Sequence, residues 1–488
     1  MSQVAVRQSQ AEAPNMIASV FPLPLSHFEY YMFIDDRPSH PMVFVMVVHV
    51  DGCLLREPFE TAVRETLETH PLFMCHVKSV PGRGCCWVPQ KYSDTTVRWR
   101  SSHQAAQFND PVTIRPIDLT TQTGLQIEVS HSAQESRIIF YLHHACCDGI
   151  GGLQVVGDVL ATYGIRTAAD GSRVPAVERP QVAALLRRDH FDTGRSATER
   201  QQRSSRRLLG KITRLFGRKP FPLQPIHSAA RQNQEDHAVS ARAIQSCELP
   251  RSVNQGLRLL AAQKGVTVND LCIREMLLQV DDWNRRAVSI SGNPWLRISV
   301  PVSMRTAEHQ GMPACNLVSY SFVTRRVSEC RDPDELLKSI HRQTEEILFQ
   351  RSGIVALRFI GLLRKIPGAV RIMLKLKSCF CTAVLANIGD VRRRYPGRFP
   401  LLKGRWVAGN VVVQRICGVA PVRPNTRVAV TIGEYGGTLS IHIRTDATVF
   451  SDEDSEQFLK EFSERLETLV GSVPNPHEAV ATEENSEH

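Results

Sequence analysis

Long hydrophobic runs are missing from this sequence. The longest apolar stretch, Met42 to Val48, is about the length of one strand, whereas a membrane-spanning helix needs about 20 apolar residues. The first residues also lack the basic start, apolar middle and small-residue cleavage site of a secretory signal peptide. Both absences favour a cytoplasmic protein.

Cys-x-x-Cys spacing, which is typical of redox and zinc sites, is missing too. The 13 cysteines include neighbours such as Cys85-Cys86 and Cys146-Cys147, and their number is odd. A chain of 488 residues can also build its own core without cross-links. We interpret the cysteines as reduced and mostly buried, and we expect no metal.

Aromatic residues are few, at 7% of the chain, and no nucleic-acid-binding motif is present. The net charge of +10 is also uneven, because residues 187–219 hold eleven Lys and Arg against three acids. A local basic segment needs a local explanation, so we expect no nucleic-acid partner.

The length predicts two domains of roughly 200 residues each. Alternating strand and helix patterns predict an α/β fold. We divide the chain into a disordered N-terminal segment (1–20), a first lobe (21–175), a basic crossover linker (176–240), a second lobe (241–473) and a disordered acidic tail (474–488).

Apolar periodicity and capping residues predict the main elements. Strands are expected at 42–50, 125–129, 137–142, 296–302, 317–323, 382–388, 410–416, 427–433 and 438–444. A helix is expected over about 56–69, and further helices are expected to begin near residues 152, 251, 267, 333 and 451. Residues 125–142 are expected to form an antiparallel hairpin, and Pro367 should divide 351–377 into two short helices.

The segment His143-His144-Ala145-Cys146-Cys147-Asp148-Gly149 follows the second strand of this hairpin. Neighbouring side chains on a strand point in opposite directions, so one imidazole can project into a cleft. An imidazole titrates near neutrality and can take a proton from a hydroxyl or amine. Asp148 is expected to hold the following turn by pairing with an arginine, and Gly149 to let the backbone bend into a helix.

Two other interpretations apply to the same segment. The histidines can be ordinary core or surface residues, or His143, His144, Cys146 and Cys147 can bind a metal. The divergence of adjacent side chains and the lack of a second ligand pair argue against the metal site.

This segment matches the His-His-x-x-x-Asp-Gly signature of the chloramphenicol acetyltransferase-like superfamily of acyltransferases and condensation domains. The resemblance is closest to the bacterial wax ester synthase/diacylglycerol acyltransferases. It extends to Pro24-Leu25-Ser26, His70-Pro71-Leu72, Thr267-Val268-Asn269-Asp270, Val300-Pro301-Val302-Ser303-Met304-Arg305 and Asn387-Ile388-Gly389. Two segments depart from the pattern of that group, Thr123-Gly124-Leu125-Gln126 and Asn387-Ile388-Gly389-Asp390. These differences weaken the inference that the chain uses that group's wax ester or triacylglycerol substrates.

The resemblance implies two similar α/β lobes that form a pseudo-dimer with a channel between them. It also implies that His144 is the catalytic base, supported structurally by His143, Asp148, Gly149 and Arg305. Asn269, Asp270, Ser303 and Asn387 are the candidate substrate-binding residues. No bound cofactor is implied, and an acyl-CoA or acyl-carrier thioester is the co-substrate.

Some of these residues also have structural explanations. Thr267 and Asp270 fit a helix N-cap pair. Because Arg305 follows a buried strand, pairing with Asp148 is favoured over binding of an acyl-donor phosphate. Asn387 can either donate a hydrogen bond to the oxyanion or form hydrogen bonds with backbone groups at its strand.

Residues 203–216 and 351–377 combine basic and apolar side chains. This composition is typical of segments that contact an anionic membrane, here the inner surface of the cell membrane. It is equally typical of a solvated linker, for the first segment, and of a core helix pair with an exposed basic side, for the second. We therefore expect an O-acyltransferase acting on lipid-related substrates. The alternatives are a condensation-type domain with carrier proteins acting in trans, and a non-catalytic lipid-binding scaffold.

Overall fold

The computed structural model describes residues 19–90, 97–101, 112–191, 217–227, 244–349, 353–376 and 378–471, together with residues 210 and 213. The basic and apolar segment 203–216 lies almost wholly outside these residues, as do the acidic tail and nearly all of segment 1–20. No helix of the described residues is long and apolar enough to span a membrane.

Sixteen strands and ten α-helices form this part of the chain. The strands are β1 (Leu23–Pro24), β2 (Val43–Asp51), β3 (Cys75–Val80), β4 (Gly84–Pro89), β5 (Val97–Ser101), β6 (Leu125–His131), β7 (Glu135–His143), β8 (Ile244–Leu249), β9 (Trp295–Ser303), β10 (Val318–Arg326), β11 (Ala383–Asp390), β12 (Leu401–Leu402), β13 (Arg405–Ala408), β14 (Val411–Val419), β15 (Val428–Tyr435) and β16 (Thr438–Thr445). The helices are α1 (His27–Asp35), α2 (Arg56–Thr69), α3 (Gly149–Thr167), α4 (Arg251–Gln263), α5 (Val268–Ala287), α6 (Pro333–Phe349), α7 (Gly353–Arg364), α8 (Ala369–Lys375), α9 (Val391–Arg394) and α10 (Asp452–Gly471).

The first lobe is built on a seven-stranded sheet with the order β12-β13-β14-β2-β7-β6-β5. Its central strand β2 is buried along residues 43–48, as an uninterrupted apolar run requires. β6 and β7 form the expected antiparallel hairpin. α2 and α3 pack against each other in this lobe, and α2 has the predicted bounds.

The second lobe is built on a six-stranded sheet with the order β10-β9-β11-β15-β16-β8. β11 runs parallel to its neighbours β9 and β15, and the other pairs are antiparallel. Helices α4, α5 and α10 pack in this lobe around a second apolar core that includes Trp283, Phe458 and Phe462. Both lobes are therefore α/β, and the expected fold class is confirmed.

The strands of residues 401–419 differ from the sequence-based division. They were assigned to the second lobe, yet β14 pairs with β2 and so extends the sheet of the first lobe. Apolar alternation predicts a strand but not the sheet that the strand joins, because both sheets offer the same backbone hydrogen bonds. This crossing segment ties the two lobes together.

Arg188 also differs from expectation. The sequence places it in a solvated basic linker, but its guanidinium is buried against the Glu29 carboxylate, with Nε–Oε1 and Nη2–Oε2 distances of 2.7 and 2.8 Å. The same carboxylate accepts hydrogen bonds from the Trp87 indole and the Ser26 backbone. The start of the linker is thus fixed to the first lobe.

Candidate active site between the lobes

The histidine segment connects strand β7 to helix α3. β7 ends at His143, and α3 begins at Gly149 with Asp148 as its N-cap, whose carboxylate accepts from the Gly151 amide at 2.8 Å. The helix thus starts earlier than the predicted Gly152. A carboxylate at this position satisfies a free amide and interacts favourably with the helix dipole.

Two of the three glycines of this turn are required by close packing, and none is required by an unusual backbone. None of them has a positive φ. A Cβ at Gly151 would lie 2.9 Å from Cβ of Cys147, and one at Gly152 would lie 2.8 Å from the Phe44 ring. Gly149 has neither a positive φ nor an atom within 4 Å of a Cβ position, so the turn does not require glycine at this residue.

His143 is fully buried and has a fixed orientation. Its Nδ1 accepts a hydrogen bond of 3.1 Å from the Ala145 amide. Nδ1 therefore carries no proton, and Nε2 carries the ring proton 3.7 Å from the Asp36 carboxylate. These contacts give His143 a supporting position.

His144 points the other way and remains partly exposed. Its backbone amide donates to the Met42 carbonyl at 2.7 Å, and its ring meets Phe44 and Phe28 edge-on at centroid distances of 5.2 and 6.3 Å. Nδ1 is buried without a hydrogen-bond partner, which leaves Nε2 as the nitrogen that can meet a substrate. Burial lowers the pKa of His144 below its ordinary value of 6.5, so the imidazole is neutral at pH 7.

Asp148 joins the two lobes through Arg305. The guanidinium donates to both carboxylate oxygens at 2.8 and 2.9 Å, and the Leu317 amide donates to Oδ2 at 2.8 Å. Burial alone would raise the pKa of Asp148, but the charge and hydrogen bonds of Arg305 outweigh it and the pKa is lowered. Together with the bond from the Gly151 amide, these contacts engage both oxygens of the carboxylate.

Asn316 is a site residue that the sequence analysis did not identify. Its side-chain amide donates to the carbonyls of His144 and Ala145, both at 2.8 Å, from the second lobe. Its Oδ1 is buried without a partner, as is Nδ1 of His144. The contact spans 172 positions, so no local sequence signal could have revealed it.

Helix α1 was also missed, and it places aromatic residues beside the base. The Phe28 ring lies 5.4 Å from Tyr320 of β10, and Tyr31 lies 6.4 Å from the same tyrosine. The capping box of Ser26 and Glu29 was readable in the sequence and could have revealed the helix. One side of His144 is therefore an aromatic wall built by both lobes.

The other predicted substrate-binding residues have separate surroundings. Asp270 forms a capping box with Thr267 and accepts from His341 and Thr344, all within the second lobe. Oδ1 of Asn269 is buried without a partner in the same turn. None of the hydrogen bonds found in the described residues brings either residue to the histidine segment.

Ser303 is the last residue of β9, whereas Asn387 lies inside β11. Ser303 is exposed, and its hydroxyl accepts a long 3.4 Å bond from the Arg305 amide. Oδ1 of Asn387 accepts from the Gly389 amide at 2.9 Å, next to an irregularity in the pairing of β11 with β15. The carbonyl end of Asn387 thus satisfies the backbone, while its NH₂ group makes no hydrogen bond within the described part of the chain.

The cysteines of the segment are unsuited to nucleophilic attack. Burial raises the pKa of both Cys146 and Cys147 well above the ordinary value of 9.0, so neither is a thiolate at neutral pH. Within the described residues, no group of three or more His, Cys, Asp or Glu side chains is arranged to hold a metal ion.

A small, mostly apolar cavity of about 10 Å³, which has room for about one water molecule, lies between the lobes. Its walls include Met46, two residues from Phe44 and on the same face of β2, and Leu153 of α3. The second lobe and the crossing strand contribute Ile388, Val391 and Ile416. Thr431, Ser440 and His442 supply its polar part.

No family model and no curated protein sequence matches the chain. Solved structures do match it over most of its length. Polyketide synthase associated protein 5 from Mycobacterium tuberculosis is 15% identical with a TM-score of 0.59, and the match covers 92% of this chain and 98% of that one. Trichothecene 15-O-acetyltransferase from Fusarium sporotrichioides is 12% identical with a TM-score of 0.62, and the shares are 92% and 95%.

The first condensation domain of the calcium-dependent antibiotic synthetase is 14% identical with a TM-score of 0.63, and the match covers 92% of this chain and 95% of that one. Likeness at such low identity shows the fold and leaves the reaction open. The chain has the two-lobed fold that condensation domains share with chloramphenicol acetyltransferase-like acyltransferases.

Proposed function

We propose that the protein is an acyltransferase that moves an acyl group from a thioester, on coenzyme A or a carrier protein, to the hydroxyl of a lipid-related acceptor. The observation that carries the proposal is the state of His144. It is neutral at pH 7, partly accessible through Nε2 and fixed where the two lobes meet.

In this mechanism Nε2 of His144 takes the proton of the acceptor hydroxyl while the oxygen attacks the thioester carbonyl. The C–O bond forms, and the carbonyl electrons move onto oxygen to give a tetrahedral oxyanion. When the carbonyl re-forms, the C–S bond breaks, and the imidazolium returns its proton to the departing thiolate. The free NH₂ group of Asn387 is our candidate donor to the oxyanion.

Asn316 acts as a positioning residue in this proposal. Both of its N–H groups are used by the carbonyls of His144 and Ala145. A hydrogen bond from Nδ1 of His144 to Oδ1 of Asn316 would satisfy the two buried atoms that lack partners. That tautomer leaves the lone pair on Nε2, where the acceptor proton must go.

A condensation-type reaction is the second candidate. The similarity to a synthetase condensation domain over 92% of the chain favours it. The same base would then deprotonate an amine or hydroxyl held by one carrier protein and direct it to an acyl thioester on another. The site chemistry is the same, and only the carriers differ.

Thiol release from short- and long-chain acyl-CoAs tests the proposal. Long-chain alcohols, diacylglycerol and simple amines serve as acceptors, and acyl-carrier thioesters form a parallel series. Release that depends on a lipid alcohol supports the proposal, whereas release only with carrier-bound substrates favours the condensation reaction. A protein that binds lipid but releases no thiol with any donor is a non-catalytic scaffold.

A further inference from the structure

Helices α7 and α8 expose apolar side chains. Six of the thirteen large apolar side chains that are exposed in the described residues lie between residues 348 and 376. On α7, α8 and the turns that follow them they are Leu362, Ile366, Ile372 and Leu376, exposed by 52 to 65%. Leu348 and Phe349 precede them at the end of α6, exposed by 65 and 83%.

The apolar residues of α7 and α8 form two pairs at a spacing of four. Leu362 with Ile366, and Ile372 with Leu376, each lie on one side of a helical turn. The opposite sides are buried through residues such as Leu357, Ile360 and Leu374. We call the outer side of these two helices the α7–α8 face.

This face is strongly cationic. Arg358, Lys365, Arg371 and Lys375 are exposed on it. No Asp or Glu occurs in the sequence between Glu346 and Asp390, so the segment contributes no negative side chain to this face. Lysine is depleted from the cores of protein–protein interfaces, whereas cations beside apolar side chains are typical of helices that lie in a lipid interface.

The inner side of α7 lies one layer from the base. α7 packs on α1 and β10, and Arg364 donates to the Leu25 carbonyl just before α1. α1 carries Phe28, which contacts His144, and β10 carries Tyr320, which contacts Phe28. A lipid surface on the outer side would therefore lie near the site where a lipid acceptor is needed.

We propose that the α7–α8 face docks the protein on an anionic phospholipid surface. Its aliphatic side chains enter the headgroup region and its lysines and arginines pair with lipid phosphates. The proposal rests on the proposed function for its purpose, since docking supplies lipid acceptors. Docking itself can be measured without any turnover.

Co-sedimentation of the full chain with vesicles tests docking. Phosphatidylcholine vesicles are compared with vesicles that also contain phosphatidylglycerol, over a range of salt concentrations. We expect binding to the anionic vesicles that weakens as salt rises. Equal binding to both kinds of vesicle, or binding that does not respond to salt, would overturn the proposal.

Two variants identify the face. Ile366→Glu with Ile372→Glu removes apolar insertion, and we expect vesicle affinity to fall roughly tenfold or more. Lys365→Glu with Lys375→Glu should lower it about fivefold or more for each charge. Leu401→Glu and Lys460→Glu are matched controls on exposed side chains elsewhere. If the face variants bind as the controls do, the face is not the docking surface.

A soluble acceptor separates docking from catalysis. We expect the face variants to keep the wild-type rate on a water-soluble alcohol and to lose rate on an acceptor embedded in vesicles. If the wild type transfers no acyl group at all, the proposed function fails while vesicle binding still decides the docking proposal. A loss of rate on both acceptors would mean that the face variants disturb the site.

Discussion

The protonation state of His144 depends on its burial, which lowers its pKa below 6.5. A base must be unprotonated, so kcat/KM should fall about tenfold per pH unit below this pKa and stay level above it. This fall is the acid limb of the pH profile, and it is measured as kcat/KM against pH with one acyl donor and one acceptor. An acid limb with a pKa above 6.5, or none at all, would contradict the assignment.

Asn316 should control the same limb, because it contacts the residue that titrates. Asn316→Asp keeps the side-chain size but places a negative charge beside His144, which favours the imidazolium and raises its pKa. We expect the acid limb to move to higher pH and kcat to fall more than KM changes. A stability loss with an unchanged pH profile would mean that Asn316 has only a structural role.

The turn between β7 and α3 depends on close packing at one glycine. The Cβ of Gly152→Ala would lie 2.8 Å from Phe44, whose ring stands 5.2 Å from the ring of His144. We expect a loss of stability of about 1–3 kcal/mol and lower activity, because Phe44, which packs against the base, must move. Gly149→Ala is the matched control, with nothing near its Cβ. Chemical denaturation and kcat measure both variants, and equal behaviour would contradict the packing argument.

Elements defined by local periodicity could be predicted from the sequence, and elements defined by long-range partners could not. α2 has its predicted bounds of residues 56 and 69, because its buried apolar residues recur at local helical spacing. The sheet joined by β14 depends on β2, more than 350 positions away. Likewise the histidine segment could be identified from the sequence, but its contact with Asn316 could not.

At the scale of the molecule, one ion pair links the lobes at the site. Removing one partner of a buried pair leaves an uncompensated charge, so Asp148→Asn should cost about 3 kcal/mol of unfolding free energy. Asp148→Asn combined with Arg305→Met should cost less than the sum of the single changes. Urea denaturation measures all three variants. Additive losses would show that the two residues stabilise the lobes independently.

The same pair predicts how stability responds to acid. The pKa of Asp148 in the folded protein is below its ordinary value of 3.8. Its contribution is therefore present above pH 3.8 and lost as pH falls through the lower, folded value. The difference in stability between wild type and Asp148→Asn should shrink in that acid range, and a constant difference would contradict the pairing.

The most direct test of the account compares acceptor-dependent thiol release by the wild type with that of His144→Ala. The account predicts a rate roughly 100- to 10,000-fold lower in the variant, with the denaturation midpoint and the background hydrolysis of the thioester unchanged. A variant that transfers the acyl group at nearly the wild-type rate would show that His144 is not the base. The protein would then need another group to accept the proton.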